Sequence, residues 1–236
     1  MTKSCWLQSK NALRVRFFIF KFQGNIMKHH VFCLPAKAFY LPVLVFILSC
    51  SEPAVRLNPL SPEQPLLAFG DSLTFGYGAS GEQSYPAQLS ELLNLKVINA
   101  GVNGELSRTG LARLEALLEL HKPQLLLLCH GANDMLQKRD LKLMAGNLKK
   151  MIRLAKERDI QVVLIAVPRP GVILSPLEQY QQVADEMQVV IENNIISTVL
   201  QQPKYHSDMI HPNGLGYQKI AQGIANLLDK HGAVNL

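Results

Sequence analysis

Short apolar runs alternate with segments of helical periodicity from Leu66 to the end of the chain. The run Gln124–His130 is apolar at nearly every position, which is typical of a strand buried on both faces of a sheet. Strands that alternate with helices form βαβ units, so we predict one α/β domain whose parallel sheet is covered by helices on both sides. The predicted strands are Leu66–Gly70, Leu95–Ala100, Gln124–His130, Gln161–Val167 and Gln188–Ile191.

The segments between these strands carry apolar residues at helical spacing. Ser84 with Pro86, and Ser175 with Pro176, both fit the start of a helix, because serine caps well and proline is tolerated in the first turn. Apolar residues from Leu141 to Ala155 form the clearest helical stripe. The predicted helices are Tyr85–Asn94, 111–120, 141–155, 176–187 and Gly214–Lys230.

The positive charge of the chain is concentrated at its N-terminus. The sequence has 24 Lys and Arg and 18 Asp and Glu, which gives a formal net charge of +6. Seven of the basic residues and none of the acidic ones lie in residues 1–49, which leaves 17 basic and 18 acidic residues in 50–236. A near-neutral globular part argues against a broad nucleic-acid surface, so we expect no nucleic-acid partner. The N-terminal charge indicates targeting instead.

An uncharged, mostly apolar segment, Ala38–Ser49, follows this charged region. It is shorter than the roughly 20 residues of a transmembrane helix and falls within the about 7–15 of a signal-peptide core. It ends in the letters ILSC, which resemble the bacterial lipoprotein cleavage box, where the cysteine is lipidated. We therefore predict an exported lipoprotein, periplasmic or anchored to the outer membrane of a bacterium through Cys50. An ordinary secretory signal or an uncleaved anchor is the alternative.

These features divide the chain into three parts. Residues 1–49 form the leader, with Met27 as a possible true start. Residues 50–65 are rich in proline and are predicted to be a tether. Residues 66–236 form the folded domain, where Cys129 is the one cysteine, so we expect no disulfide and no cysteine-based metal site.

Polar or glycine-rich clusters follow the first three predicted strands, and a fourth cluster precedes the last helix. They read GDSL from Gly70, NAGVNG from Asn99, GAND from Gly131 and DMIHPN from Asp208. In open parallel sheets the functional site lies just past the carboxyl ends of the strands. We therefore expect the four clusters to form a single site.

The residue types in these clusters suit nucleophilic catalysis. A serine hydroxyl such as that of Ser72 is a weak nucleophile unless a base takes its proton, and His211 can be that base. Asp208, three residues earlier, can fix the imidazole tautomer if the segment turns. An oxyanion needs preorganised donors, which the N–H groups of Ser72 and Gly104 and the side-chain amide of Asn133 can provide.

The four clusters together resemble the blocks of the SGNH hydrolases, also called GDSL esterases/lipases, which carry Ser, Gly, Asn and His in that order. The matching residues are Ser72 in FGDSLTFGYG, Gly104 in NAGVNGELS, Asn133 in HGAND, and His211 with Asp208 in DMIHPN. The resemblance covers about residues 66–228 and is closest to the secreted bacterial arylesterase/thioesterase I/lysophospholipase branch.

The resemblance implies a flavodoxin-like three-layer α/β/α sandwich with a mostly parallel five-stranded sheet of order 2-1-3-4-5. It also implies an acyl-enzyme mechanism on Ser72 that needs no cofactor and no metal. Carried over to the matching positions, the resemblance implies that Ser72, Asp208 and His211 are the catalytic residues. It implies that Ser72, Gly104 and Asn133 form the oxyanion hole.

The sequence is less informative about the substrate. Met135, Leu136 and Pro170 are predicted to contact it, because apolar residues surround the expected cleft. We expect a monomer that hydrolyses carboxylic esters or thioesters of small or medium-chain acyl groups, lysophospholipids included. The alternatives are a carbohydrate O-acetylesterase on the same scaffold and a non-catalytic envelope lipoprotein. Arg108 and Arg169 lie near strand ends, where they either meet an anionic head group or are simply solvated.

Overall fold

A parallel sheet forms the centre of the domain in the computed structural model, which describes residues 55–169, 171 and 174–236. Within these residues the sheet has five strands in the order β2-β1-β3-β4-β5, and each neighbouring pair is parallel. The predicted fold class and strand order are confirmed. The strands are β1 (Leu66–Gly70), β2 (Val97–Gly101), β3 (Leu125–Cys129), β4 (Gln161–Ile165) and β5 (Val190–Glu192).

Helices cover both faces of this sheet. Helix α5 packs against α3 and α6, whereas α8 packs against α2 and α7. Because parallel crossover connections are right-handed, the two groups cover opposite faces. The helices are α1 (Ser72–Phe75), α2 (Tyr85–Leu93), α3 (Ser107–His121), α4 (Ala132–Leu136), α5 (Leu141–Lys156), α6 (Glu178–Met187), α7 (Ile195–Leu200) and α8 (Gly214–Lys230).

The core lies between the sheet and these two helical layers. Every residue of β1 and β3 is buried, as expected for central strands covered on both faces. Helix α5 presents one buried apolar stripe to the sheet and exposes its charged face, as its sequence pattern predicts. The buried residues of α5 are Met144, Leu148, Met151, Ile152 and Ala155.

The prediction that a helix starts at Pro176 is wrong, because α6 begins at Glu178. Pro168 and Pro176 form an isolated antiparallel bridge, and the Arg169 N–H donates to the Ser175 carbonyl at 2.9 Å. Ser175 and Pro176 are therefore held by strand-like pairing instead of capping a helix.

The last strand and the helix after it also differ from the prediction. Strand β5 starts at Val190, two residues later than Gln188, because Gln188 ends α6 with a left-handed backbone (φ 49°). Helix α7 was not predicted, since its six residues are too few for a periodic pattern.

The proline-rich segment packs along the amino ends of the strands in its described part, residues 55–65. The side chain of Gln124, just before β3, accepts from the Ser61 N–H at 2.7 Å and donates to its carbonyl at 2.6 Å. Gln161, at the start of β4, makes the same pair of bonds with Asn58 at 2.6 and 3.2 Å. The segment therefore reaches the domain at the edge opposite the carboxyl ends of the strands.

The predicted leader and Cys50, the predicted site of lipidation, lie outside the described residues, as does the predicted substrate contact Pro170. In the part of the chain that the structure describes, no helix combines the length and the apolar character needed to cross a membrane.

Candidate active site

Ser72 lies at the carboxyl end of β1, where the chain turns directly into the short helix α1. The turn requires a glycine at position 70, because a Cβ there would lie 1.9 Å from the carbonyl oxygen of Cys129 in the next strand. The buried carboxylate of Asp71 caps α1 by accepting from the Leu73 N–H at 3.2 Å. This local arrangement fixes the backbone of Ser72, and its hydroxyl lies beyond the carboxyl end of β1.

The Ser72 hydroxyl lies 3.1 Å from Nε2 of His211, although the two residues are 139 positions apart in the chain. His211 Nδ1 lies 2.8 and 3.0 Å from the two carboxylate oxygens of Asp208. With Nδ1 donating to Asp208, Nε2 is left as an acceptor for the serine proton. The structure thus brings together the three side chains that the sequence analysis names as candidate catalytic residues.

Asp208 is held by its own loop. Its Oδ1 accepts from the N–H groups of Ile210 and His211, both at 2.9 Å. These bonds form a turn that places the carboxylate next to the His211 imidazole. Burial raises the pKa of Asp208, but the hydrogen bonds from Ile210 and His211 outweigh it, so the pKa lies below its usual value. The carboxylate is therefore ionised at neutral pH.

The predicted oxyanion donors Gly104 and Asn133 lie beyond the ends of β2 and β3. Gly104 adopts φ 74°, in the left-handed region that favours glycine, although an added Cβ would meet nothing within 4 Å. Among the described residues, the N–H groups of Ser72 and Gly104 have no protein acceptor. The Asn133 amide donates one hydrogen to the Glu105 carbonyl at 3.1 Å, which leaves the other available to a ligand.

A buried ionic cluster of Glu105, Arg113 and His130 supports these loops. Arg113 holds both carboxylate oxygens of Glu105, with Nε–Oε1 at 2.8 Å and Nη2–Oε2 at 2.7 Å, and His130 Nε2 lies 3.1 Å from Oε2. The Glu105 side chain is 4% exposed and that of His130 is fully buried. The paired carboxylate thus satisfies the general condition for burying a charge.

The same arginine reaches two strand ends. Arg113 Nη2 donates to the carbonyls of Ala100 at 2.8 Å and Gly70 at 3.3 Å, and its guanidinium stacks 4.1 Å above the Phe69 ring. Burial raises the pKa of Glu105, but the hydrogen bonds from His130 and Arg113 and the charge of Arg113 outweigh it and bring the pKa to about 2. The cluster therefore stays charged and joins the ends of the strands that carry the site.

Asp134, next to Asn133, ties the same loop to α3. Its carboxylate accepts from the N–H and the hydroxyl of Ser107, both at 2.8 Å, and the Asn147 amide donates to the Ser107 hydroxyl at 3.0 Å. Asp134 is buried and both of its carboxylate oxygens are bonded to Ser107, so it holds the loop in place.

An apolar cavity opens beside Ser72 and His211. Met135 and Leu136, both predicted substrate contacts, lie in its wall. Tyr77 lies beside the site, with its ring centroid 4.5 Å from that of His211. The other apolar residues of the wall are Leu73, Ala132, Val167, Pro168, Leu174, Leu200, Met209 and Ile210.

Sequence reasoning missed two parts of this site. The sequence analysis does not name Met209 and Ile210 as residues of the cavity wall. Two apolar residues between Asp208 and His211 are a usable signal, and Met209 is 91% exposed. Glu105 and Arg113 were also missed. The one sequence signal for Glu105 is its position directly after Gly104. Its partner Arg113 lies eight residues further along the chain, on α3.

The described residues contain no group of three or more His, Cys, Asp or Glu side chains placed to hold a metal ion. The side chains that the geometry brings together at Ser72 are a serine hydroxyl and an imidazole that contacts a carboxylate, beside an apolar cavity.

The sequence also matches a family model and known proteins. A family model, the GDSL-like Lipase/Acylhydrolase family, matches residues 68–219. The arylesterase of Vibrio mimicus is 34% identical over 200 residues, which cover 80% of this chain and 96% of that protein. Thioesterase 1/protease 1/lysophospholipase L1 of Escherichia coli K12 is 29% identical over 198 residues, with 80% of this chain and 92% of that protein covered.

Solved structures of similar fold include esterases. The structure of TesA aligns with a TM-score of 0.64 at 26% identity and covers 71% of this chain and 99% of that one. The psychrotrophic esterase EstA from Pseudoalteromonas sp. aligns with a TM-score of 0.65 at 24% identity, over 71% of this chain and 97% of that one.

Proposed function

This chain belongs to the GDSL-like lipase/acylhydrolase family and is a hydrolase of ester bonds, and we propose that it acts through an acyl-enzyme formed on Ser72. The observation that carries the proposal is the line of contacts from Ser72 to His211, at 3.1 Å, and from His211 to Asp208, at 2.8 Å. This is the arrangement in which a serine hydroxyl becomes a nucleophile.

In the first half of the reaction, the Ser72 oxygen attacks the carbonyl carbon of the ester while its proton passes to His211 Nε2. Asp208 stabilises the imidazolium that forms. The tetrahedral intermediate then expels the alcohol or thiol, which takes the proton from His211. In the second half, His211 removes a proton from water, the hydroxide attacks the acyl-enzyme, and the carboxylic acid leaves as Ser72 regains its proton.

The charge of each tetrahedral intermediate falls on the former carbonyl oxygen. We assign its stabilisation to the N–H groups of Ser72 and Gly104 and to the free amide hydrogen of Asn133. Such donors act strongly because they are already oriented before the charge develops. The hydrogen bond of Asn133 to Glu105 and the glycine conformation at position 104 both support this assignment, since each fixes one donor in place.

The apolar lining of the cavity beside Ser72 favours an acyl group as the part of the substrate that lies there. Met135, Leu136 and Met209 can pack along a short alkyl chain, and methionine adapts to chains of different shape. We therefore propose small or medium-chain acyl esters or thioesters as substrates, with lysophospholipids among them.

Hydrolysis of p-nitrophenyl octanoate and p-nitrophenyl acetate by the purified protein tests this proposal. We expect kcat/KM to be higher for octanoate, because each buried methylene contributes about 0.8 kcal/mol. Ser72→Ala is the control for both substrates. Turnover that depends on Ser72 but strongly favours acetate would support the carbohydrate O-acetylesterase instead, and turnover that Ser72→Ala leaves unchanged would reject the proposed mechanism.

We also propose that the protein is exported and lipidated on Cys50. The support is the charged N-terminus, the short apolar segment before Cys50 and the letters ILSC. Metabolic labelling of the producing cell with a fatty acid tests this, with Cys50→Ser as the control. Label that is retained in Cys50→Ser would reject the anchor.

A further inference from the structure

A cavity lined by three cations adjoins the apolar cavity at Ser72. Met135 and Leu136 line both cavities, so the two share a wall. We call the second one the distal cavity; its volume is about 480 Å³. Its lining residues are Met135, Leu136, Lys138, Arg139, Leu141, Arg169 and Leu177.

The backbone holds all three cations at the cavity. The Lys138 N–H donates to the Met135 carbonyl at 3.0 Å, and the Arg139 N–H donates to the Asp134 carbonyl at 2.8 Å. The Arg169 N–H donates to the Ser175 carbonyl at 2.9 Å, beside the Pro168–Pro176 bridge. The distal cavity is thus lined by residues from two separate parts of the chain, 135–141 and Arg169 with Leu177, and all three cations belong to its lining.

The charges of these side chains are not neutralised within the described part of the chain, where no carboxylate forms an ion pair with any of them. The side chain of Arg139 donates to the neutral Gln137 amide at 3.1 Å. The nearby carboxylates have other partners: Asp134 accepts from Ser107, and Asp140 caps α5 by accepting from the Lys142 N–H at 2.7 Å. Like charges around one cavity repel one another, and an anion between them relieves this repulsion.

We propose that the distal cavity binds an anionic group, a carboxylate or a phosphate, carried by the ester substrate. The proposal rests on the proposed function, because it places the anion on a substrate whose ester group lies at Ser72 and because the two cavities share a wall. The two guanidinium groups match the geometry of a carboxylate or phosphate, each offering paired donors. An anion on the substrate has two sources: the free end of the acyl chain, or the leaving group.

Two pairs of substrates distinguish these sources. The first pair is p-nitrophenyl octanoate and the p-nitrophenyl monoester of suberic acid, which has the same chain length and a terminal carboxylate. The second pair is 1-octanoylglycerol and 1-octanoylglycerol 3-phosphate. For each pair the ratio of kcat/KM, anionic to neutral, is measured in the unmodified protein and in the variant K138Q/R139Q/R169Q.

We expect the triple variant to lower this ratio about tenfold in one of the pairs, since three exposed charge contacts each contribute modestly. A change in the first pair assigns the anion to the acyl end, and a change in the second assigns it to the leaving group. The variant K150Q/R153Q/K219Q removes the same charge from exposed positions elsewhere and should leave both ratios unchanged. Equal ratios in all three proteins would overturn the proposal.

A binding measurement keeps the test independent of turnover. Octyl phosphate is titrated into the Ser72→Ala protein by calorimetry, with and without the three distal substitutions. We expect about tenfold weaker binding when the cations are removed, and weaker binding at high ionic strength. Equal affinity in both proteins would reject the distal site. In the kinetic assay, turnover of p-nitrophenyl octanoate that does not depend on Ser72 would instead count against the proposed function alone.

Discussion

The side-chain amide of Asn133 donates to the main-chain carbonyl of Glu105 at 3.1 Å, and Glu105 directly follows Gly104. One residue thus connects the two donors that lie beyond β2 and β3. Its carboxylate is held at the same time by Arg113 and His130 in a buried cluster. Rearrangement of Glu105 would therefore displace both donors together, although its side chain does not line the cavity at Ser72.

Glu105→Gln should lower kcat by about tenfold to 100-fold with little change in KM, because it loosens donors that act mainly in the transition state. The substitution keeps the size of the side chain and removes its charge, so Arg113 loses its ionic partner. Steady-state kinetics with p-nitrophenyl octanoate measures the split between kcat and KM. Glu119→Gln, which breaks an exposed ion pair with Arg158, is the matched control. A normal kcat with only a lower melting temperature would show a purely structural role.

The stability of the protein in acid should also depend on Glu105. Its pKa in the folded protein is about 2, below its ordinary value of 4.5, so ionised Glu105 stabilises the fold above pH 4.5. This stabilisation is lost as the pH falls from 4.5 towards 2. Between pH 6 and pH 3 the loss amounts to about 2 kcal/mol.

Urea denaturation at pH 6 and pH 3 measures this effect. The difference in unfolding free energy between the two pH values should be smaller in Glu105→Gln than in the unmodified protein by that amount. Glu119→Gln should behave like the unmodified protein. An identical pH dependence in Glu105→Gln would mean that the carboxylate is not held in its ionised form.

Asn133→Ala should lower kcat on the order of 10²–10³, as expected for loss of one oxyanion donor. KM should change little, because the amide binds the charge that develops in the transition state. Asn226→Ala removes an exposed amide from α8 and should leave kcat unchanged. A loss below tenfold in Asn133→Ala would reject the assignment of this residue.

Asp208→Asn should lower kcat on the order of 10⁴, because an amide at this position favours the wrong imidazole tautomer. The main-chain N–H groups of Ile210 and His211 can still donate to the amide oxygen, so the loop keeps its shape. The Asp208 side chain is 45% exposed, which makes its contribution sensitive to solvent. Retention of more than a tenth of the activity would show that His211 does not depend on Asp208 for its orientation.

Much of the fold and of the candidate site follows from local patterns. The run LLLLC predicts a buried strand because a strand covered on both faces has no polar side to display. Ser72, Gly104 and Asn133 could be predicted to lie beyond the same edge of the sheet because each follows a parallel strand, and parallel strands end at one edge. Asp208 and His211 are three residues apart, so a single turn suffices to pair them.

The remaining features depend on contacts between distant residues. Ser175 and Pro176 fit a helix start, but pairing of this segment with Pro168 and Arg169 prevails over the local preference. The Glu105 cluster unites residues from α3, from the end of β3 and from the loop after β2. The cationic distal cavity likewise requires Arg169 to face Lys138 and Arg139 across two segments that are far apart in the chain.

The most direct test of the central claim is the mass of the protein during turnover. Intact-mass spectrometry of the protein mixed rapidly with p-nitrophenyl octanoate and quenched in acid should show one octanoyl adduct. Digestion of the same sample should place the adduct on the peptide that contains Ser72. Ser72→Ala should show neither the adduct nor turnover above background, with a loss of about 10⁴–10⁶ in kcat. Full turnover by Ser72→Ala, or an adduct on another residue, would contradict the account.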